Sequence, residues 1–269
     1  IAASFAALAQ RRVLVDCDVD AADLHLVTKH RVLREEVFES GWVAFLNEGS
    51  CTQCGQCARA CRFDAIDERY TINPLKCEGC GVCDEVCRFS AVEMRRRVSG
   101  AWYFSTTPGG PFLHARLGVA EGNSGRLVSL LKTEARKLME RDGYPIMIVD
   151  GSPGIGCPVI ASVSGAHAVL IVAEPTPSGL HDLGRIAGLA KRFRSALYAC
   201  VNKYDINEGM ADEIAGWCAG NGIRLLAKIP HDTGVTAAQI AGKSLVEASS
   251  GPAAEAVAAL WDRLSDELR

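Results

Sequence analysis

The chain has 269 residues, of which 48% are hydrophobic and 23% are charged, as is usual for globular proteins. Its 29 Lys+Arg and 32 Asp+Glu give a formal net charge of -3, which excludes a broad basic surface for nucleic acid or for an anionic membrane. The sequence has no apolar run of about 18 residues and no signal-peptide pattern. It therefore predicts a cytoplasmic protein of one or about two domains, without a nucleic-acid or membrane partner.

The amino-terminal residues predict an Ala-rich helix over 1–10 and then a short apolar strand that begins at Val13. This strand is closed by the acids Asp16 and Asp18. The next distinctive segment is rich in cysteine, because eight of the 12 cysteines lie between Cys51 and Cys87. Such clustering favours a metal centre over disulfide bonds.

An internal repeat organises this cysteine-rich segment. Residues 51–66 and 77–92 are identical at eight of 16 positions with an offset of 26 residues. Each copy has the spacing C-x2-C-x2-C-x3-C, in which three thiolates can cap one face of an iron-sulfur cube while the fourth completes the neighbouring cube. The sequence therefore predicts two 4Fe-4S clusters, one held by Cys51, Cys54, Cys57 and Cys87, the other by Cys77, Cys80, Cys83 and Cys61.

Zinc is the alternative occupant, since it also binds C-x2-C pairs. Zinc does not require triplets with a trailing cysteine, twice, so the spacing favours iron and sulfur. The segment resembles a bacterial two-cluster ferredoxin over about 50 residues. It departs from that family after the fourth cysteine, where Arg62 and Arg88 replace the usual proline.

After the repeat, residues 101–117 are predicted to form an antiparallel excursion that leads back from the insertion to the sheet. Strands then alternate with helices. The strands are predicted at 146–149, 168–172, 197–201 and 225–229, and the helices at 124–142, 179–193, 208–221 and 253–268. Uniformly apolar strands are typical of a parallel sheet covered on both faces. The predicted fold class is therefore α/β, with a mostly parallel doubly wound sheet over 1–45 and 98–269 and an inserted α+β domain over 46–97.

Two of the predicted strands end in carboxylates. Asp16 and Asp18 follow the first strand, and Asp150 ends the strand at 146–149, just before a glycine-rich loop at 151–156. Ligands of open parallel sheets bind at the carboxyl ends of the strands, so these acids are expected to converge. They could hold Mg²⁺ or orient a water at a phosphate, although strand-end acids also commonly cap turns.

Taken together, VLVDCDVDAADLHL, IMIVDGSPGIGCPV, VNKYDIN and IPHDTGVTAAQIAGK resemble the MinD/ParA group of P-loop ATPases, in a form with an inserted ferredoxin domain. The resemblance implies ATP or ADP with Mg²⁺ as ligands and a homodimer or a related ATPase subunit as partner. It implies that Asp18 positions the hydrolytic water, with Asp16 beside it, and that Asp150 binds Mg²⁺. It further implies a switch loop that contains Gly151 and Gly154, and an adenine site formed by Asn202 and the loop after Pro230.

That family's first strand and its phosphate loop, which carries two lysines, would lie before Ile1. The sequence is therefore interpreted as an amino-terminally shortened form, and ATPase activity is expected of the complete protein. Cys157 matches a cluster ligand of nitrogenase iron proteins in its distance from Asp150, but a buried core cysteine is the favoured interpretation. Cys17, Cys200 and Cys218 are expected in the core. The histidines lack metal-ligand spacing and are expected at the surface or in hydrogen bonds.

The predicted function is that of an ATP-operated iron-sulfur protein. Nucleotide-driven dimerisation and hydrolysis would be coupled to electron transfer, or to metal-sulfur cluster assembly on a redox or cluster-accepting partner. Two alternatives stay open at this point. One is a scaffolding or positioning ATPase with structural or sensory clusters, and the other is a simple electron carrier.

Overall fold

The computed structural model describes residues 1–119 and 121–268, which divide into two compact units. The first unit comprises Ile1–Glu35, Trp102–Arg116 and Ser124–Arg269, and the second comprises Glu36–Ala101 and Leu117–Asn123. The predicted insertion at 46–97 falls within the second unit, and its boundaries stay a prediction. No helix in the described part of the chain has both the length and the apolar character needed to cross a membrane.

The described residues form eight strands and ten α-helices. The strands are β1 (Val13–Asp16), β2 (Arg31–Leu46), β3 (Val92–Thr107), β4 (Gly110–Leu117), β5 (Met147–Asp150), β6 (Ala168–Ala173), β7 (Ala196–Asn202) and β8 (Arg224–Ile229). The helices are α1 (Ala2–Leu8), α2 (Gln56–Ala60), α3 (Val82–Glu85), α4 (Ser124–Asp142), α5 (Cys157–Val163), α6 (Pro177–Lys191), α7 (Glu208–Gly220), α8 (Gly234–Ile240), α9 (Leu245–Ala248) and α10 (Pro252–Glu267). Two short 3₁₀ helices cover Leu24–Val27 and Tyr204–Ile206.

One sheet has the strand order β2-β3-β4-β1-β5. Within it, β1 pairs in parallel with β4 and with β5, and Asp16 lies opposite Asp150. The side chains of β1 are fully buried, because α4 packs on this strand while Phe5 of α1 joins Leu14 in the core. Continuous burial of a central parallel strand explains why its sequence is uniformly apolar.

A second, three-stranded parallel sheet has the order β6-β7-β8. Its residues Ala199 and Val201 pack against Leu183 of α6 and Ile214 of α7. The predicted class, a mostly parallel α/β architecture, is confirmed, and the predicted strands lie within two residues of the observed ones. Helix α6 begins two residues earlier than predicted because the Thr176 hydroxyl caps it, accepting from the Gly179 amide at 2.9 Å.

A groove separates the two sheets of the first unit. Strands β5 and β6 are the outer strands of their sheets, so each has one edge without a neighbouring strand. The groove between them is lined by both strands and by Phe5 and Trp261. Val172 of β6 is 45% exposed, which is unusual for an apolar strand of this kind. The strands therefore form two sheets where the sequence predicts one.

A cluster of aromatic rings surrounds His114 of β4. The His114 ring stacks on the rings of Tyr103 and Phe112 at centroid distances of 4.9 and 4.6 Å. The rings of His25 and His30 have their centroids 5.6 and 5.4 Å from that of His114. The Ser105 hydroxyl lies 3.1 Å from His114 Nε2. Burial, followed by the two neighbouring histidines, lowers the pKa of His114 to about 3. A neutral imidazole is therefore part of this core.

Replacing His114 by Gln should reduce the sensitivity of the fold to acid. Because the folded-state pKa lies below the unfolded one, the unfolded chain binds more protons between pH 6.5 and about 3, and stability falls as the pH falls through this window. The contribution approaches about 1.4 kcal/mol per pH unit. Urea unfolding at pH 7, 6 and 5 measures it, with His167→Gln at an exposed position as control. An unchanged slope in His114→Gln would contradict this assignment.

Candidate functional site

The sequence repeat of the second unit is repeated in its backbone. Gly55 and Gly81 precede α2 and α3 with φ angles of +75° and +79°. Asp64 and Ser90, which occupy equivalent positions after the fourth cysteine of each copy, both have positive φ as well. The two copies therefore form the same tight loops, and glycine relieves the strain where the left-handed conformation is needed.

These loops enclose two cavities, each lined by four cysteines. The first cavity is lined by Cys51, Cys54, Cys57 and Cys87. The second is lined by Cys61, Cys77, Cys80 and Cys83. These are the two sets that the spacing predicts, with the fourth cysteine of each copy at the cavity of the other.

Backbone amides donate hydrogen bonds to several of these sulfurs. The Ala65 amide lies 3.4 Å from Cys61 Sγ, and the equivalent Ala91 amide lies 3.3 Å from Cys87 Sγ. Burial raises the pKa of Cys87, but the amides of Ala91 and its neighbours outweigh burial and hold that pKa below its usual value. Amide donors of this kind stabilise thiolate ligands and tune clusters bound to them.

The donor set fits a cluster better than a single ion. In the part of the chain that the structure describes, no three His, Cys, Asp or Glu side chains are placed to hold one metal ion. The four cysteines instead surround a volume, with amide donors directed at the sulfurs. Burial raises the pKa of Cys83 to about 11, so binding of a metal there must displace a proton.

Aromatic and basic side chains flank the cavities. Phe63 lines the second cavity and Phe89, its equivalent in the repeat, lines the first, and both are partly exposed. Within the basic run 95–97, Arg97 is mostly buried and donates to the Cys77 carbonyl at 3.0 Å while pairing with Glu121 at 2.7 Å. Arg97 therefore fastens the loop that contains Cys77.

A second group of functional side chains lies at the carboxyl ends of β1 and β5 in the first unit. Asp16 and Asp150 are directly opposite each other in the sheet. The Asp18 amide donates to Asp16 Oδ1 at 3.0 Å. Asp16 Oδ2 is buried and has no hydrogen-bond partner in the described residues. An unpartnered buried carboxylate oxygen beside a second carboxylate fits a cation.

The raised pKa values of these carboxyl groups also favour a bound cation. Burial, and then the proximity of Asp150, raise the pKa of Asp16 to about 7, and burial raises the pKa of Asp150 to about 6. The pKa of Asp18 is also raised, again mainly by burial. Two carboxylates that disfavour each other's charge, such as Asp16 and Asp150, become favourable once a divalent cation lies between them.

The other residues that the sequence predicts to bind nucleotide lie at or just after the ends of β5, β7 and β8. Gly151 and Gly154 lie in the loop between β5 and α5, and Gly154 has a φ of +87°. Asn202 ends β7 opposite Ile229, and Pro230 follows directly, so Asn202 and Pro230 come together at the end of the second sheet. The His231 amide donates to Asp205 at 2.7 Å and fixes the start of the following loop.

Lys132 is a structural residue at this site that the sequence does not reveal. It lies on α4, is 5% exposed, and donates from Nζ to the carbonyls of Ala161, Ser162 and Ser164 at 2.9, 2.5 and 2.7 Å. A cation at the carboxyl end of α5 fixes the helix that follows the 151–156 loop. The apolar residues of α4 recur with helical spacing and predict which face of the helix is buried. Nothing in the local sequence indicates that Lys132 belongs to that face.

The isolated cysteines divide into two groups. Cys17, Cys200 and Cys218 are fully buried, so their expected place in the core is confirmed. Cys157 is exposed at the first residue of α5, so a buried core position is wrong for it. Its Cβ lies close to Gly125, where an added Cβ would come within 2.8 Å.

Comparison with known proteins agrees with this geometry. A family model for the 4Fe-4S binding domain matches residues 44–67. MinD of Pyrococcus horikoshii OT3, solved with Mg-ADP, aligns with a TM-score of 0.57 at 15% identity over 99% of this chain and 88% of that one. A ParA family ATPase from Chlorobium tepidum TLS aligns with a TM-score of 0.53 at 17% identity over 97% and 90%. The protein thus has the MinD/ParA fold and carries a 4Fe-4S binding domain.

A relative at higher identity is the uncharacterized protein MJ0578 of Methanocaldococcus jannaschii. The two are 33% identical over 256 residues, which cover 94% of this chain and 86% of that protein. The chain belongs to the same family as MJ0578.

Gly79→Ala should disrupt the second cavity, whereas Gly81→Ala should not. Both glycines have positive φ, so either alanine incurs about 1 kcal/mol of left-handed strain. A Cβ at Gly79 would also lie 2.2 Å from the Trp42 carbonyl oxygen, whereas one at Gly81 meets nothing within 4 Å. Iron and sulfide content per chain after anaerobic purification measures the effect. Equal iron content in the two variants would contradict this prediction.

Proposed function

We propose that this protein is an iron-sulfur ATPase in which nucleotide binding and hydrolysis control what two 4Fe-4S clusters do for a partner protein. The observation that carries the proposal is the crossed grouping of eight cysteines around two cavities, in a chain whose other unit has three carboxylates at one edge of its parallel sheet. The output would be electron transfer, or assembly of a metal-sulfur centre on the partner.

The cluster half of the proposal rests on the two short helices. Cys57 lies on α2 and lines the first cavity, while Cys61 directly follows α2 and lines the second. Similarly, Cys83 lies on α3 and lines the second cavity, while Cys87, two residues beyond the end of α3, lines the first. Ligands of the two clusters would thus be one helical turn apart, a rise of about 6 Å. Electrons could pass between clusters held so closely, and thiolates would supply all protein ligands.

The nucleotide half rests on the acids of β1 and β5. Asp150 would hold Mg²⁺, with Asp16 beside it, and Asp18 would position the attacking water. Gly151 and Gly154 would let the switch loop respond to the γ-phosphate. Asn202 and the loop after Pro230 would receive the adenine. The bound Mg²⁺ would relieve the mutual repulsion of the carboxylates.

The groove between β5 and β6 supports a further part of the proposal. Two parallel strands with unpaired edges that face one apolar groove are suited to an additional strand between them. We propose that the complete protein places a strand there and continues from it into a phosphate-binding loop beside the acids. In that form two subunits, or this chain and a related ATPase, would close on nucleotide in the cytoplasm, without nucleic acid or membrane.

Cysteine variants in combination test the crossed ligand sets. Removing Cys54 and Cys57 together should leave about half of the iron, because only the first cluster is lost. Adding Cys87→Ala to that pair should cause no further loss, whereas adding Cys61→Ala should remove the remaining cluster. Iron analysis and electron paramagnetic resonance of the reduced protein measure both. The reverse pattern would show uncrossed ligand sets, and Cys157→Ala serves as the control outside the cavities.

Nucleotide coupling is tested in the complete protein with Asp18→Asn. Hydrolysis should slow by at least about 100-fold, because the water loses its positioning carboxylate, while ATP binding persists. Asp20→Asn, at an exposed position in the same segment, is the matched control. Cluster midpoint potentials should differ between ATP-bound and ADP-bound protein.

The alternative functions predict different results. Potentials that do not depend on nucleotide, together with ATP turnover that does not depend on cluster oxidation state, would favour a positioning or scaffolding ATPase. Failure of the complete protein to bind nucleotide would favour a simple electron carrier.

A further inference from the structure

Arg12 is a buried cation without a carboxylate partner. The residue is 3% exposed and immediately precedes β1 in the first unit. Its Nε donates to the Ala6 carbonyl at 3.0 Å and its Nη1 to the Thr107 hydroxyl at 2.8 Å. Among the described residues it forms no ion pair, and the remaining N–H groups of the guanidinium have no acceptor. Buried charges in proteins are normally paired, so this one needs an explanation.

The neighbours of Arg12 do not balance its charge. Burial is the main influence on this guanidinium and lowers its pKa below the usual value. The Thr107 hydroxyl uses its own proton on the Gly110 carbonyl at 2.7 Å, so it can only accept from Arg12. The positive charge is therefore desolvated and incompletely bonded.

A cavity adjoins this guanidinium. It is open to solvent and is lined by Arg12, Gln10, Thr28 and Lys29, with small alanines of α1 on one wall. Thr28 Oγ1 is buried and has no hydrogen-bond partner in the described residues. Polar atoms of this kind, buried and unsatisfied, often mark the place of an ion or ligand.

The charges around the cavity favour an anion. Arg12 lies inside, Lys29 lies on the exposed rim, and the one carboxylate on the lining is Glu247. Glu247 is exposed, and its Oε2 accepts from the Ser244 amide and hydroxyl at 3.3 and 2.6 Å in the capping box of α9, so the two cations outnumber the carboxylate. Arg12 precedes β1, whereas Asp16 ends it, so this cavity is separate from the proposed nucleotide site.

We propose that this cavity binds a small anion through a carboxylate or phosphate group. The free edge of the Arg12 guanidinium would donate to the anion, the Thr28 hydroxyl would add a further donor, and Lys29 would attract the ligand at the rim. A guanidinium binds either planar carboxylates or phosphates through paired N–H groups. The proposal does not depend on the proposed ATPase function.

Isothermal titration calorimetry on the cluster-loaded full chain tests the proposal, with inorganic phosphate and succinate as probes at matched ionic strength in chloride. We expect saturable binding of at least one probe, and the probe that binds identifies the preferred group. Arg12→Gln should weaken binding about tenfold or more, because it removes a charged donor. Arg11→Gln is the matched control, since Arg11 is exposed, bonds to the Asp142 carbonyl and does not line the cavity.

Thr28→Val provides a second test that does not require loss of a buried charge. It should weaken anion binding several-fold and raise the Tm of the anion-free protein, because an unsatisfied hydroxyl is removed. The same isotherms for Thr28→Val and Lys29→Met decide the matter if Arg12→Gln does not fold. Absence of binding for both probes would overturn the proposal. So would binding that Thr28→Val and Lys29→Met leave unchanged, or binding that matched chloride abolishes.

Discussion

Each four-cysteine cavity of the second unit requires residues from both copies of the repeat. A single short helix, α2, supplies Cys57 to one cavity and is followed by Cys61 at the other, so neither copy can complete a site alone. The apolar core of this unit is small and includes Ala44, Ala65 and Val92. Small cores usually need a metal or a covalent link to be stable. Bound clusters would therefore hold the unit together.

The first unit depends on a different constraint, which is the parallel pairing of β1 with β5. That pairing brings Asp16 opposite Asp150 in a place where burial disfavours both charges. The sheet therefore holds two carboxylates where their negative charges are unfavourable, and a divalent cation between them can compensate those charges. The loop after β5 leads to α5, whose carboxyl end is fixed by Lys132, so the loop connects a buried strand to an anchored helix. A nucleotide that orders this loop would act on a segment anchored at both ends.

Much of this arrangement can be predicted from the sequence because its signals are local. The cysteine spacing determines which thiols can face one another, and the apolar runs followed by carboxylates indicate the edge of the sheet at which ligands bind. The strand β2 was not predicted, because most of its residues are exposed and it has no clear alternation of apolar and polar residues. The burial of Arg12 and Lys132 could not be predicted either. Each charge is buried by contacts with segments distant in the sequence, and single residues carry no signal of such contacts.

Several buried polar atoms without hydrogen-bond partners lie in the segment 16–28, which contributes residues to both candidate binding sites. Five side-chain atoms of the described residues are buried without partners, and three of them, Asp16 Oδ2, His25 Nδ1 and Thr28 Oγ1, lie within 16–28, whereas Ser40 Oγ and Ser265 Oγ lie elsewhere. Each such atom destabilises the protein by about 1–3 kcal/mol relative to a satisfied one. This short segment begins at the last residue of β1, provides Asp16 at the proposed cation site and Thr28 at the anion cavity, and contributes His25 to the aromatic cluster. Ligands at either end would therefore stabilise the same stretch of chain.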